Sequence, residues 1–191
     1  WQKMTPASRT NVRPKVRPGR ARQGAVLLLL YFRKEVWHVL LTRRPEEMNN
    51  HAGQISFPGG RRESGEALAT TALRETEEEV GVPPAGVSLL GELTTLYIPP
   101  SDFEVHPFVG YHPGPVTFRR NPAEVAEILE VPLTHLLEPT TRREEEWNLH
   151  GWRVKVPFFQ VESHKVWGAT AMMLSEFLER LRLVGTQTPT D

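Results

Sequence analysis

Glu75, Glu78 and Glu79 stand at i, i+3 and i+4 inside the stretch 59–82, which reads GGRRESGEALATTALRETEEEVGV. On a helix of 3.6 residues per turn these three carboxylates project from one face, while Glu77 points roughly the opposite way. Like charges at such spacings cost a helix about 0.2–0.5 kcal/mol per pair, and the negative end of the macrodipole adds to the cost. A hard divalent cation offsets that repulsion, because Mg²⁺ takes oxygen ligands and shares its shell between carboxylates, water and phosphate oxygens. A solvated acidic face has the same spacing, so the neighbouring residues must separate the two readings.

Those neighbours favour a fixed scaffold. Ala69, Ala72, Leu73, Thr76 and Val80 form a stripe beside the acids that would hold the helix against a core. The sequence predicts a helix from about Glu66 to Val80, stopped at Gly81 with Pro83 and Pro84 beyond. Upstream, Pro58-Gly59-Gly60 predicts a tight backbone that could approach phosphates closely. The polar stretch 43–54, with Arg43, Arg44, Asn49, Asn50 and His51, predicts a loop suited to gripping them.

The elements that must position this helix are legible as hydrophobic patterns. Residues 25–32 and 36–42 read as two strands joined by the turn Arg33-Lys34-Glu35, followed by a short strand at 54–57. Residues 87–97, 105–111 and 152–161 read as further strands. A strand leading into a short helix at Leu133 fits the stretch 121–137, and 169–183 reads as a core-packing helix in which Met172 and Met173 fill space. Strands interleaved with two long helices and a short one predict an α/β (α+β) fold, a mixed sheet between helical layers.

Composition narrows the chemistry. With no cysteine among 191 residues, thiolate nucleophiles, thiolate metal sites and disulfides are excluded, leaving carboxylates and histidines. Lysine plus arginine, 23, equals aspartate plus glutamate, 23, so overall charge points neither to a membrane surface nor to nucleic acid. The longest apolar run is too short to span a bilayer, no secretory signal is evident, and a cytoplasmic location is expected. Residues 1–22 hold seven basic residues and no acid, with Pro6, Pro14 and Pro18, and read as a flexible basic arm. A single domain is expected over 23–185, with a C-terminal tail at 186–191. The arm and the strand content are compatible with a homodimer.

Gly60, five residues, Glu66, seven residues, then Arg74-Glu75-Thr76-Glu77-Glu78-Glu79-Val80-Gly81-Val82 resembles the Nudix box, Gly-x5-Glu-x7-Arg-Glu-U-x-Glu-Glu-x-Gly-U. Thr76 departs from it by standing where a bulky aliphatic is usual. The resemblance implies an α/β/α sandwich and a hydrolase that cuts a nucleoside diphosphate derivative with Mg²⁺ or Mn²⁺. It implies metal ligands at Glu75 and Glu79 with Glu78 beside them, and bracing roles for Glu66 and Arg74. A further glutamate outside the helix, Glu127 or Glu124, is expected as general base or extra ligand, and Glu78 is a further catalytic candidate.

The run 40–45, LLTRRP, with Met48, His51, Gly53, Gln54, Ile55 and Phe57-Pro58-Gly59-Gly60, is similar to the signature of the coenzyme A pyrophosphatase branch. So are Asn121-Pro122-Ala123-Glu124-Val125-Ala126-Glu127 and Trp167-Gly168-Ala169-Thr170. That resemblance implies cleavage of coenzyme A to 3′,5′-ADP and 4′-phosphopantetheine, with Arg43, Arg44, His51, Gly59 and Gly60 on the substrate side. Two alternatives stand beside it: another nucleoside diphosphate derivative such as ADP-ribose or a dinucleotide, or a polyanion-binding protein whose arm holds RNA.

Overall fold

The computed structural model describes residues 4, 21–46, 53–149 and 152–185. The expected arm falls almost wholly outside the described residues, as do His51 and the tail 186–191. Two compact units are present, one ending at His135 and the other beginning at Leu136.

The first unit is built on strand β1 (Arg22–Arg33), whose central leucines are buried on both faces, as the middle of a partly parallel sheet requires. It returns as β2 (Val36–Arg43) through a tight antiparallel hairpin in which Lys34 and Glu35 both take positive φ, 49° and 63°. Then follow β3 (Ile55–Ser56), β4 (Gly59–Arg61) and helix α1 (Leu68–Val80). Next come β5 (Ser88–Glu92), β6 (Leu96–Ile98), β7 (Phe103–His112), β8 (Glu127–Pro132) and the short helix α2 (Leu133–Leu137).

These strands form one mixed sheet. Its backbone order is β3-β2-β1-β7-β5, with β4 joined to β1, β6 to β7 and β8 to β2. The β1–β7 pair is parallel and the others are antiparallel, so α1 lies on the crossover that a parallel pair demands. Ala25, Leu27, Leu29 and Tyr31 from alternate positions of β1 meet Ala72, Val80 and Val82 in one core cluster. Thr76 sits buried in the predicted stripe. Its hydroxyl donates to the Ala72 carbonyl at 2.7 Å, so a polar atom at an apolar position is satisfied within the helix.

The second unit carries a three-stranded antiparallel sheet, β9 (Arg142–Leu149), β10 (Trp152–Val161) and β11 (His164–Trp167), and helix α3 (Gly168–Gly185). Phe158, Phe159 and Val166 from the strands and Met172, Met173, Leu174, Phe177 and Leu178 from α3 are buried, so the methionines are packing residues as expected. Arg142 lies over the Phe159 ring and donates to Ser175.

Several boundaries differ from the sequence reading. Helix α1 starts at Leu68, two residues later than expected, because Glu66 is turned back to accept the Glu63 and Thr71 donors. The strand expected over 87–97 is two, β5 and β6, interrupted after Glu92; Gly91 at φ 157° and a register shift between Leu89 and Gly91 put a bulge into the end of β5. Gly59 and Gly60 pair in a strand with β1. Strands β4, β9 and β11 carry no hydrophobic alternation strong enough to announce them.

Candidate active site

Helix α1 begins with a polar brace. Arg74 donates through Nε to Glu66 Oε1 at 2.9 Å and through Nη2 to Glu66 Oε2 and to the Arg61 carbonyl, each at 3.2 Å. Its Nη1 lies 3.0 Å from Glu75 Oε1 and 3.0 Å from Glu78 Oε2. Thr71 also donates to Glu66 at 2.7 Å. These donors, Arg74 foremost, hold the Glu66 carboxyl down at about 2. The bracing geometry therefore ties the loop at Arg61 to the first half of the helix and to two of its acids.

The far end of α1 is fixed by a second brace. Gly81 takes the left-handed conformation, φ 73°, and its N–H returns to the Glu77 carbonyl at 2.9 Å. The last two carbonyls of the helix accept from a distant loop, Val80 from the Arg119 N–H at 2.8 Å and Glu79 from the Asn121 N–H at 2.9 Å. That loop folds on Asn121. Its carbonyl accepts the Glu124 and Val125 N–H groups, its Oδ1 accepts the Ala123 N–H, and its Nδ2 donates to Glu124 Oε1 at 3.1 Å.

The consequence is an acidic cluster assembled from two places in the chain. Oxygens of Glu75, Glu79 and Glu124 lie within 4.8 Å of one another. Glu79 is buried and Glu75 nearly so, whereas Glu78 has half its side chain in solvent and is drawn aside by Arg74. The convergence expected of the three helix acids thus holds for Glu75 and Glu79, and Glu124 stands where Glu78 was expected. A helical wheel puts Glu78 about 60° to one side of Glu75 and Glu79 about 40° to the other. The second direction faces the sheet and the first faces water.

The electrostatics of the cluster are those of a site built for a cation. Burial, opposed by Arg44 and increased by the charges of Glu75 and Glu124, pushes the Glu79 carboxyl up to about 8. Burial likewise raises Glu75, against the pull of Arg74. Glu79 accepts the Gly59 N–H, yet its Oε2 is buried with no hydrogen-bond partner among the described residues. An orphaned buried carboxylate oxygen beside two more carboxylates is what a divalent oxygen-seeking ion would satisfy, so the residues present fit Mg²⁺ or Mn²⁺.

The two glycines make room for this. Gly59 has φ 153°, and a Cβ there would overlap the Ala25 carbonyl and Val26; a Cβ at Gly60 would overlap the Glu75 carboxylate. Arg43 pairs with Glu127 at 3.0 Å and with Glu46 at 3.2 Å, and Ala126 donates to the Arg43 carbonyl at 2.7 Å. Glu127 therefore sits opposite Arg43 across β2 and β8, outside the carboxylate trio. Arg44 lies near enough to Glu79 to bias its charge, and its backbone N–H meets the Gln54 carbonyl at 3.0 Å. Of the residues singled out in the sequence, the fold brings Glu75, Glu79, Glu124, Arg44, Gly59 and Gly60 together. Asn121, which sets the position of Glu124, has no chemical signal of its own in the sequence beyond lying in the Asn-Pro-Ala-Glu turn.

A mixed α+β fold whose crossover helix presents a buried carboxylate cluster beside a glycine pair defines the class of domain to which this chain belongs. The model of the NUDIX domain matches residues 21–152, and the chain belongs to the Nudix family. Among its relatives is a protein named Nudix hydrolase NudL from Photorhabdus laumondii, 36% identical over 163 residues that cover 85% of this chain and 86% of the relative. The NudL of Yersinia enterocolitica is 37% identical over 161 residues, covering 84% and 82%. Solved structures share the fold: RenU, a Nudix hydrolase of M. smegmatis, at TM-score 0.57 and 18% identity over 90% of this chain and 89% of that one. The NUDIX domain of Shewanella oneidensis NrtR, in complex with ADP-ribose, gives 0.56 and 18% over 96% and 100%. The protein is thus a Nudix hydrolase, an enzyme.

Proposed function

We propose that this enzyme hydrolyses the diphosphate of coenzyme A or a close derivative, giving 3′,5′-ADP and 4′-phosphopantetheine. The observation that carries the hydrolytic reading is the trio Glu75, Glu79 and Glu124 with the unpartnered Glu79 Oε2. The choice of coenzyme A is supported by the branch-like run through Arg43 and Arg44 to Gly60, and by the Asn121 turn that delivers Glu124 to the cluster.

In this reading Glu75, Glu79 and Glu124 hold Mg²⁺ or Mn²⁺. When bound, the ion neutralises phosphate oxygens and acidifies water. The chain's own groups do the rest. Gly59 and Gly60 let the backbone come up to the diphosphate, and Arg44 supplies a cation beside it. Arg43 pairs with Glu127 and fixes its position, and Glu127 takes a proton from the attacking water. The new bond joins the water oxygen to phosphorus; the bridging P–O bond breaks, and its electron pair leaves with the second phosphate. Glu78 stays at the rim, tied to Arg74. A homodimer remains part of the proposal, as does a single functional domain over residues 23–185.

The test is incubation of the full chain with Mn²⁺ and coenzyme A, dephospho-coenzyme A, ADP-ribose and a dinucleotide in ¹⁸O-water. Coenzyme A should be the best substrate by kcat/KM, with one labelled phosphate in the products. Preference for ADP-ribose, which one distant structural relative binds, would overturn the coenzyme A reading and keep the hydrolase. In the same assay Glu127→Gln should slow kcat with Mn²⁺ affinity intact, whereas Glu124→Gln should weaken Mn²⁺ binding itself.

A further inference from the structure

A recess of about 430 Å³ opens beside the glycine pair, bounded by residues 21–23 and 61–65. Three of its walls are guanidinium groups. Arg22 donates to the Ser101 carbonyl at 2.7 Å and lies over the Phe103 ring. Arg62 donates to the Glu66 carbonyl at 2.5 Å and to Gln23 Oε1 at 2.8 Å. Each of the two is pinned by one or two of its five N–H donors and keeps the others for a ligand. The Arg61 side chain is exposed and makes no hydrogen bond or ion pair among the described residues. One acid, Glu63, shares the wall, so the recess holds a net positive charge.

The recess is joined to the carboxylate cluster through the backbone. Arg61 follows Gly60, whose Cα abuts Glu75, and its carbonyl accepts from the same Arg74 that pairs with Glu75. A substrate whose diphosphate lies at Gly60 therefore has, one residue away, a cationic recess in which two of the three guanidinium groups are already pinned. Such a fork of planar donors suits a terminal phosphate, which offers three oxygens and close to two negative charges, better than a diester, which offers two oxygens and one charge.

We propose that this recess is a subsite for a phosphate monoester that the substrate carries outside its scissile diphosphate, with Arg61 as its principal ligand and Arg22 and Arg62 as its fixed walls. The inference rests on the reading of the cluster as a diphosphate site. It selects, among diphosphate compounds, those bearing an additional phosphate on the nucleoside.

The probes are 3′,5′-ADP and 5′-AMP, which differ by one phosphate monoester, titrated calorimetrically into the full chain with Mn²⁺. KM and kcat are measured in parallel for coenzyme A and dephospho-coenzyme A. The wild type should bind 3′,5′-ADP about tenfold more tightly than 5′-AMP, and Arg61→Gln should remove most of that preference while leaving 5′-AMP affinity and Tm unchanged. In the kinetics, R61Q should raise KM for coenzyme A about tenfold at constant kcat and leave dephospho-coenzyme A unaffected. Arg22→Gln should act in the same direction, and Arg61→Lys should keep part of the preference. Equal binding of the two nucleotides by the wild type, equal weakening of both by R61Q, or a preference that survives R61Q would overturn the subsite. If coenzyme A is cleaved no better than dephospho-coenzyme A by wild type and R61Q alike, the subsite falls and the coenzyme A activity stands. If the wild type leaves coenzyme A intact and still discriminates the nucleotides through Arg61, the subsite stands and the coenzyme A reading falls.

Discussion

Glu79 concentrates the chemistry of the site in one residue, because the fold buries its carboxylate and leaves an oxygen without a donor. Its carboxyl is raised from 4.5 to about 8, so without metal the folded state binds a proton that the unfolded chain has released. Between those two values stability must therefore fall as pH rises. Glu66 has the opposite sign: it is lowered from 4.5 to about 2, and its contribution is lost as pH falls through that range. A metal bound as proposed would compete with the Glu79 proton, so Mn²⁺ affinity should climb from pH 5 to about 8 and then level off. Glu79→Gln removes both effects. The metal-free variant should be more stable than the wild type at pH 8, by about 1–2 kcal/mol, and should lose most Mn²⁺ affinity. Denaturant melts at pH 5 and pH 8 with Mn²⁺ titrations check this, and an unchanged Mn²⁺ affinity would remove Glu79 from the ligand set.

At the scale of elements, the site is a helix held at both ends and a strand short enough to let it approach. Strand β4 is made of glycine where it passes α1, and a methyl group at Gly60 would occupy the place of the Glu75 carboxylate. Gly60→Ala should cost about 1–3 kcal/mol through that overlap and weaken Mn²⁺ binding at least as much as stability, because the displaced group is one of the three carboxylates proposed to hold the ion. A G60A variant with wild-type melting and metal affinity would show that Glu75 has another place to go.

The same elements explain what could be read from the sequence. The β1–β2 hairpin was legible because a long apolar run, a short polar turn and a second apolar run admit few other folds. The core face of α1 was legible from its period, and the Glu75–Glu79 pair from its i, i+4 spacing. Glu78 was placed with them because spacing alone does not say which flank of an acidic face turns toward the sheet. Glu124 joins through backbone hydrogen bonds from residues 119 and 121 to the end of α1, a tertiary contact with no periodic signature. Strand β9 reads RREEEWNL, polar on both faces, and is set by its pairing with β10; its hydrophobicity predicts nothing.

For the whole molecule, an ion held by the cluster as proposed would couple its binding to folding. Glu75 and Glu79 come from one helix, and Glu124 comes from a loop 45 residues beyond Glu79, held at that helix's end by hydrogen bonds from Arg119 and Asn121. The unfolded chain cannot hold these three oxygens together, so an ion that binds them binds the folded form selectively. At a free Mn²⁺ concentration about 100 times its dissociation constant, the added stability is about 2.7 kcal/mol. For a chain of this size that corresponds to a rise in Tm of about 5–10 °C. The rise should depend on Mn²⁺ concentration, be reversed by chelation, be nearly absent in Glu79→Gln and be reduced in Asn121→Ala, whose carboxylates are all intact. Thermal melts with and without Mn²⁺ separate the cases. Equal shifts in the wild type and Glu79→Gln would mean that the stabilising ion binds elsewhere, whereas an Asn121→Ala shift equal to wild type would mean that Glu124 finds the cluster without its turn.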